Sequence, residues 1–258
     1  MPLLAFDTAT RATAVAWQSA ASEEPLNARD DPPPGARPRH TACLLPLIAD
    51  VLERSGTSLA QVDRVAVGIG PGTFTGLRIG IATARALGQA LRIPVVGVST
   101  LESLAFHIER EHRAGNGRMY GGLAYPPRGG GPDAVISVLD ARRGEVFAAA
   151  WLLTSGGRLP LFGVRALRPA ELAALLVSSD RLVPDRTLAV GDGALAFRDI
   201  LESSGVTIPD DDSECHRVTA SAHCRLAWSL PARHPNDVHP DYMRLPDAEL
   251  GRRGLIAK

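Results

Sequence analysis

The chain has 258 residues, enough for one large domain or two of ordinary size with a substantial core. Its 28 basic and 28 acidic side chains cancel, so no global basic field draws in nucleic acid, and phosphate contacts to an RNA would fall mostly to a partner. Cys43, Cys215 and Cys224 are too few for a disulfide framework, the first residues lack the basic and apolar stretches of a signal peptide, and no apolar run has membrane-spanning length, so a soluble cytoplasmic protein is expected.

The chain opens on an apolar strand, residues 3–6, that ends in Asp7-Thr8-Ala9-Thr10. Arg11 and Ala12 carry a turn and residues 13–17 return, which predicts a hairpin with a carboxylate and two hydroxyls at its tip. Such a tip suits a metal–phosphate group; the alternative is an Asx turn, in which the carboxylate bonds its own backbone. Residues 21–39 are charged and proline-rich and predict an exposed loop around a short edge strand. A helix follows to Ser55, stopped at Gly56, with Leu44, Leu45, Ile48, Val51 and Leu52 as its apolar stripe and Pro46 in its early turns.

Residues 65–91 carry the densest signal. Residues 65–69 read as a buried strand, Gly70-Pro71-Gly72-Thr73-Phe74-Thr75-Gly76 as a glycine turn, and the rest as a helix with Leu77, Ile81, Ala84 and Leu87 on one face. Strand, glycine turn and helix in series point backbone N–H groups at an anion or a neighbouring backbone. The glycines allow positive φ and close approach. The run lacks the lysine of a Walker loop, and neither Gly68-x-Gly70-x-Gly72 nor Gly72-x3-Gly76 has the dinucleotide-binding spacing. On spacing, a phosphate cradle and a structural turn stand level. Gly76, Gly80 and Ala84 form a small-residue ridge suited to close packing, on another subunit or on the chain's own sheet.

A strand at 94–98 and a helix from Ser99 or Thr100 to about His112 complete a first unit, predicted as a mixed sheet whose hairpin is antiparallel and whose later strands are parallel. The second half repeats the theme. After a glycine-rich loop at 114–133, a strand at 134–139 ends in Asp140, Ala141-Arg142-Arg143-Gly144-Glu145 turns, and residues 146–151 return. Helices at 169–177, 194–203 and 220–230, a strand at 188–191 and an extended tail are expected after it. Arg142 and Arg143 read as a solvated hairpin tip. Cys215-His216 and His223-Cys224 have the residue types of a zinc site but not the two-to-four-residue gap within each half, so helix-face and surface placement is expected.

Residues 4–10, 39–46 and 68–80, together with 138–147 and Pro240-Asp241-Tyr242-Met243-Arg244, resemble the TsaB (YeaZ) family of bacterial tRNA threonylcarbamoyladenosine biosynthesis proteins. The resemblance covers nearly the whole chain. It implies an α/β fold of the duplicated actin/Hsp70 (ASKHA) kind, with two mixed-sheet subdomains at 1–102 and 103–217. A helix at 218–232 would complete the first, and 233–258 would form an extended tail. It further implies a non-catalytic scaffold that pairs with a TsaD-like catalytic subunit, the enzyme that places threonylcarbamoyl on adenosine 37 of tRNAs reading codons that begin with A. A TsaE-like ATPase and, through the complex, tRNA are the other implied partners. The implied interface is the first two helices, with Leu44, Leu45, Ile48, Gly72, Thr73, Gly76, Leu77, Arg78, Gly80 and Ile81 as its residues, and Arg78 placed to fix a carboxylate or loop carbonyls. Asp7, Thr8, Thr10 and Asp140 would be a nucleotide-binding remnant. No tightly bound cofactor is expected, ATP or ADP being reserved for the complex interface, and a homodimer is expected when the partner is missing.

TsaD-like enzymes hold a metal with a His-x3-His pair, whereas here His40 is followed four positions on by Leu44, so no metal site is expected. Two further readings remain to be weighed. An active actin-like kinase or ATPase would use Asp7 and Asp140 on a magnesium–phosphate group, with Gly191-Asp192-Gly193 as the late glycine motif. A metalloprotease would need a metal pair that the sequence does not contain.

Overall fold

The computed structural model of the protein describes residues 1–21, 23–33, 35–113, 119–120, 123–124 and 131–243. The first hairpin pairs β1 (Leu3–Asp7) with β2 (Thr13–Gln18), and the edge strand β3 (Leu26–Asp30) adds to β2. On the other side of β1 lie β4 (Arg64–Gly70) and β5 (Val95–Ser99), both parallel, giving the order β3-β2-β1-β4-β5. The second sheet repeats the plan. An antiparallel pair, β8 (Ala134–Arg142) and β9 (Glu145–Thr154), carries β10 (Gly157–Leu167) on one side and the parallel strand β11 (Thr187–Val190) on the other. Two mixed sheets, each headed by a hairpin and flanked by helices, make the duplicated actin-like architecture that the resemblance implied.

Alternation decides which helix covers which face. Leu4, Phe6, Val15, Val65 and Val67 turn to α1 (His40–Ser55) and α2 (Phe74–Leu91), which lie side by side over the first sheet. Leu3, Ala5, Ala14, Ala16, Ala66 and Val98 turn the other way, onto α7 (Ala220–Ala227). The second sheet is sandwiched between α3 (Thr100–Arg113) on one face and α4 (Pro169–Val177), α5 (Asp192–Ala196) and α6 (Arg198–Glu202) on the other. Helix α1 ends where Gly56 takes the left-handed conformation at φ 67° and returns its N–H to the last carbonyls. No helix among the described residues is long and apolar enough to cross a membrane.

Three elements differ from the sequence reading. Strand β10 was not foreseen: Pro160 and Gly163 interrupt its apolar pattern, and the pairing with β9 shifts register between Pro160 and Phe162 and again before Arg165. The helix expected at 194–203 starts at Asp192 and breaks at Phe197 into α5 and α6. The last helix stops at Ala227 rather than Leu230. The loop expected at 114–133 lies mostly outside the described residues, and its described part includes a two-stranded ribbon, β6 (Met119–Tyr120) with β7 (Leu123–Ala124). The tail is not extended throughout: a 3-10 turn at Pro235–Asp237 interrupts it before the irregular run to Met243, and residues 244–258 lie outside the described residues.

Candidate functional site

The first hairpin tip is closed. Asp7 is 1% exposed and both of its oxygens are committed. Oδ1 accepts from the Ala9 N–H at 2.6 Å, which is the Asx turn, while Oδ2 accepts from the Thr100 hydroxyl at 3.0 Å and lies 3.0 Å from His223 Nε2. His223 is held from behind by Nδ1, which donates to the Thr219 carbonyl at 2.9 Å. Burial pushes the Asp7 carboxyl up, but the His223 imidazole, the Ala9 N–H and the Thr100 hydroxyl outweigh it and hold it below its ordinary value. Gly68 completes the seal, because a Cβ there would land on Asp7 Oδ2.

The glycine turn is filled by the chain itself. Gly70 uses positive φ, at 110°. Gly72, Gly76 and Gly80 allow close approach: a Cβ at Gly72 would meet the Ala9 carbonyl, one at Gly76 the Thr8 carbonyl, and one at Gly80 would lie 2.5 Å from Thr8 Oγ1. The Thr73 N–H donates to Ala9 at 2.7 Å, and the Thr8 hydroxyl donates to the Gly76 carbonyl at 2.7 Å. The hairpin tip thus occupies the place that a phosphate cradle would offer. The small-residue ridge serves this contact: Gly76 and Gly80, expected at an interface, are buried against the chain's own hairpin tip.

The remaining members of the nucleotide remnant have different surroundings. Thr8 is buried in the contact just described. Asp140 pairs with Arg142 at 3.0 Å, and its N–H donates to Asp192 Oδ1 at 3.0 Å. Burial raises the Asp192 carboxyl. Thr10 and Asp192 line a cleft of 240 Å³ between the two sheets, with Arg11, Arg29 and His216. That is below the roughly 300–1,000 Å³ usual for small-molecule pockets. The Arg11 guanidinium is taken up by the Pro33 and Ala36 carbonyls, at 3.2 and 2.8 Å.

The two Cys–His pairs belong to different places. Cys224 sits in the core under α7 beside His223. His216 accepts from the Gly191 N–H at 3.1 Å and donates to the Pro209 carbonyl at 3.2 Å. Burial raises the Cys215 thiol to about 11. His40 is 4% exposed, with Nδ1 2.9 Å from the Thr13 hydroxyl. No group of three or more His, Cys, Asp or Glu side chains among the described residues is placed to hold a metal ion.

The open surface is the outer side of α1 and α2. Leu44, Ile48, Leu77 and Ile81, expected at an interface, are 1–4% exposed and belong to the chain's own core, because an amphipathic helix turns its apolar stripe to its sheet. Leu45 is instead 60% exposed. Around it the outer face presents Ala42, Pro46 and Ala49 on α1 and Thr75, Arg78, Ala82, Ala86 and Ala90 on α2. Gly72 and Thr73 lie half-buried at its end. The tail runs along α2, held by Gln89 on Asn236 at 2.6 Å, Arg85 on the Val238 carbonyl at 2.7 Å and the Asp241 N–H on Ile69 at 2.8 Å. Next to Asp241, Tyr242 packs on Phe74, ring centroids 5.1 Å apart and planes tilted by 33°. Sequence reasoning named His223 and Tyr242 but not their roles beside Asp7 and Phe74, and it missed the alanine face, for which the spacing of Ala82, Ala86 and Ala90 was the available signal.

Residues 32–180 match the family model described as TsaD: tRNA N6-adenosine threonylcarbamoyltransferase. The chain is 32% identical over 213 residues to the Escherichia coli K12 protein named tRNA threonylcarbamoyladenosine biosynthesis protein TsaB, covering 82% of this chain and 80% of that one. It is 28% identical to the Bacillus subtilis protein of the same name, over 81% and 82% of the two chains. Among solved structures it is similar to YeaZ from Pseudomonas aeruginosa, with a TM-score of 0.69 and 26% identity over 93% of this chain and 99% of that one.

Proposed function

Because the chain belongs to the TsaB family of tRNA threonylcarbamoyladenosine biosynthesis proteins, we propose that it is the non-catalytic scaffold subunit of a tRNA threonylcarbamoyltransferase, acting by pairing with a TsaD-like catalytic chain. The observation that carries this reading is the closed hairpin tip, where Asp7, the acid a nucleotide-handling relative would aim at a metal–phosphate group, spends both oxygens inside the protein. The same closure weighs against the kinase reading. A single imidazole at His40 with Leu44 one turn on offers one ligand where a catalytic metal needs several.

The pairing surface in this reading is the outer face of α1 and α2, centred on Leu45 and the alanines around it. Small side chains on two neighbouring helices allow another helix pair to approach closely. Without its partner the same face would pair with a second copy. A TsaE-like ATPase joins the assembly, ATP or ADP binds where the subunits meet, and tRNA is held by the complex in the cytoplasm.

The test is reconstitution of the modification with the TsaD-like and TsaE-like proteins of the same genome, threonylcarbamoyl-adenylate, ATP and tRNA. Modified adenosine is expected only when this chain is added. Equal product without it would overturn the scaffold role, and product from this chain alone would show it to be an enzyme.

A further inference from the structure

Arg78 is the one charged residue on the exposed face of α2, and its guanidinium is fixed in place from two directions. Its central carbon lies 3.8 Å above the centroid of the Phe74 ring, one turn earlier in the helix. Its Nε donates to the Tyr242 hydroxyl at 3.1 Å, and Tyr242 is itself packed on Phe74 and anchored through the neighbouring Asp241 N–H on Ile69. The stack and the Nε bond leave the two Nη groups, the fork that meets a carboxylate with two parallel hydrogen bonds. Neither has a partner among the described residues, and no described acidic side chain pairs with Arg78.

An exposed arginine ordinarily spends rotamer entropy when it binds. This one is ordered beforehand by its own tail. We propose that Arg78 is the receptor for an aspartate or glutamate carboxylate of the protein that docks on the α1–α2 face, and that Tyr242 and Phe74 hold the guanidinium in position for it. The proposal rests on the docking role proposed above and names the chemistry of the partner at that face. The surroundings favour a protein over RNA. The exposed α2 neighbours are Thr75, Ala82 and Ala86, and the exposed positions in the first turns of α1 are Thr41, Ala42, Leu45, Pro46 and Ala49. The charged Asp50, Glu53 and Arg54 of α1 fall in its last two turns, where Arg54 pairs with Asp50 at 2.8 Å. Arg78 is thus the one exposed cation of α2, set among small and apolar side chains. An RNA backbone is held by several cations at phosphate spacing, whereas a helical protein face supplies one carboxylate in an otherwise apolar contact.

The experiment is calorimetric titration of the full chain with the TsaD-like subunit of the same genome, at two salt concentrations, using unaltered protein, R78Q, R78K and Y242F. R78Q is expected to weaken binding about 30-fold or more, the effect of truncating one partner of a hydrogen-bonded charge pair, and to flatten the salt dependence. R78K should recover only part, since an ammonium lacks the fork, and Y242F should give a smaller loss. Melting temperatures of all four proteins should agree, because Arg78 and Tyr242 are exposed. Unaltered affinity in R78Q, with the unaltered chain binding, overturns the carboxylate receptor and leaves the docking role standing. No binding by the unaltered chain overturns the docking role and the receptor with it. If R78Q binds the subunit normally but the complex loses tRNA retention, the residue serves a phosphate and the proposal fails.

Discussion

The Asp7 carboxylate and the His223 imidazole meet 3.0 Å apart, 1% and 0% exposed, and tie the first strand of the chain to its last helix. A carboxylate this deep is stable only with partners, and removing one partner of a buried pair costs about 3–5 kcal/mol because the other charge is left stranded. His223→Leu is therefore expected to lower the unfolding free energy by about that amount in urea denaturation. Asp7→Asn combined with His223→Leu should recover part of the loss. A His223→Leu protein as stable as the original would show that Thr100 and the Ala9 N–H suffice for Asp7.

The glycines of α2 make a second prediction through their contact with Thr8. Gly76→Val drives a side chain into the Thr8 carbonyl and should yield no folded protein. Gly80→Ala is milder, since its Cβ would meet a hydroxyl that can turn, and overpacking of this kind costs about 1–3 kcal/mol. Gly163→Ala, in β10 with nothing within 4 Å of its Cβ, should stay within about 0.5 kcal/mol of the original. Equal melting temperatures for Gly80→Ala and Gly163→Ala would mean that the α2 ridge is loosely packed.

Leu44 and Leu45 are adjacent in sequence and opposite in environment, 2% and 60% exposed. Leu44→Glu puts a charge into the core under α1 and should unfold the protein. Leu45→Glu should leave stability within about 0.5 kcal/mol while weakening partner binding tenfold or more, as loss of an apolar anchor at the centre of an interface does. A Leu45→Glu chain that pulls down its partner normally would move the docking surface elsewhere.

That pair also shows where sequence reasoning stopped. The period of 3.6 in α1 and the apolar run of β4 gave both elements nearly to the residue, and the two strand–Asp–turn–strand hairpins were legible as well, whereas the duplicated fold was implied by the family resemblance. The apolar stripe of α1, however, is the part of the helix its own sheet uses, so choosing Leu44, Ile48, Leu77 and Ile81 for a partner mistook core for surface. Much of the exposed face around Leu45 is alanine, at 42, 49, 82, 86 and 90, which hydropathy does not separate from either environment. The closure of the Asp7 tip was hidden for another reason. It depends on Thr100 and His223, and no local pattern announces a side chain that acts across the whole chain. Strand β10 was lost because its bulges put Pro160 and Gly163 inside it.

The last prediction concerns pH. Burial lowers His216 below its ordinary value of 6.5, and the Gly191 N–H aimed at Nδ1 leaves no acceptor for a second ring proton. Burial likewise lowers His40 from 6.5. Between 6.5 and the lower folded values, the unfolded chain binds more protons than the folded one. Stability must then rise with pH through that window and fall as the solution is acidified. The limit is about 1.4 kcal/mol per pH unit for each histidine. Asp7, also depressed when folded, adds a loss of the same sign, but only as pH drops through and below the ordinary carboxylate value of 3.8. Urea denaturation at pH 7.5, 6.5 and 5.5 should show a declining midpoint, and His216→Gln should be less stable at pH 7.5 yet lose less on acidification. A midpoint independent of pH across this range, or a decline in both His216→Gln and His40→Gln as steep as in the unaltered protein, would show that neither imidazole is held neutral by the fold.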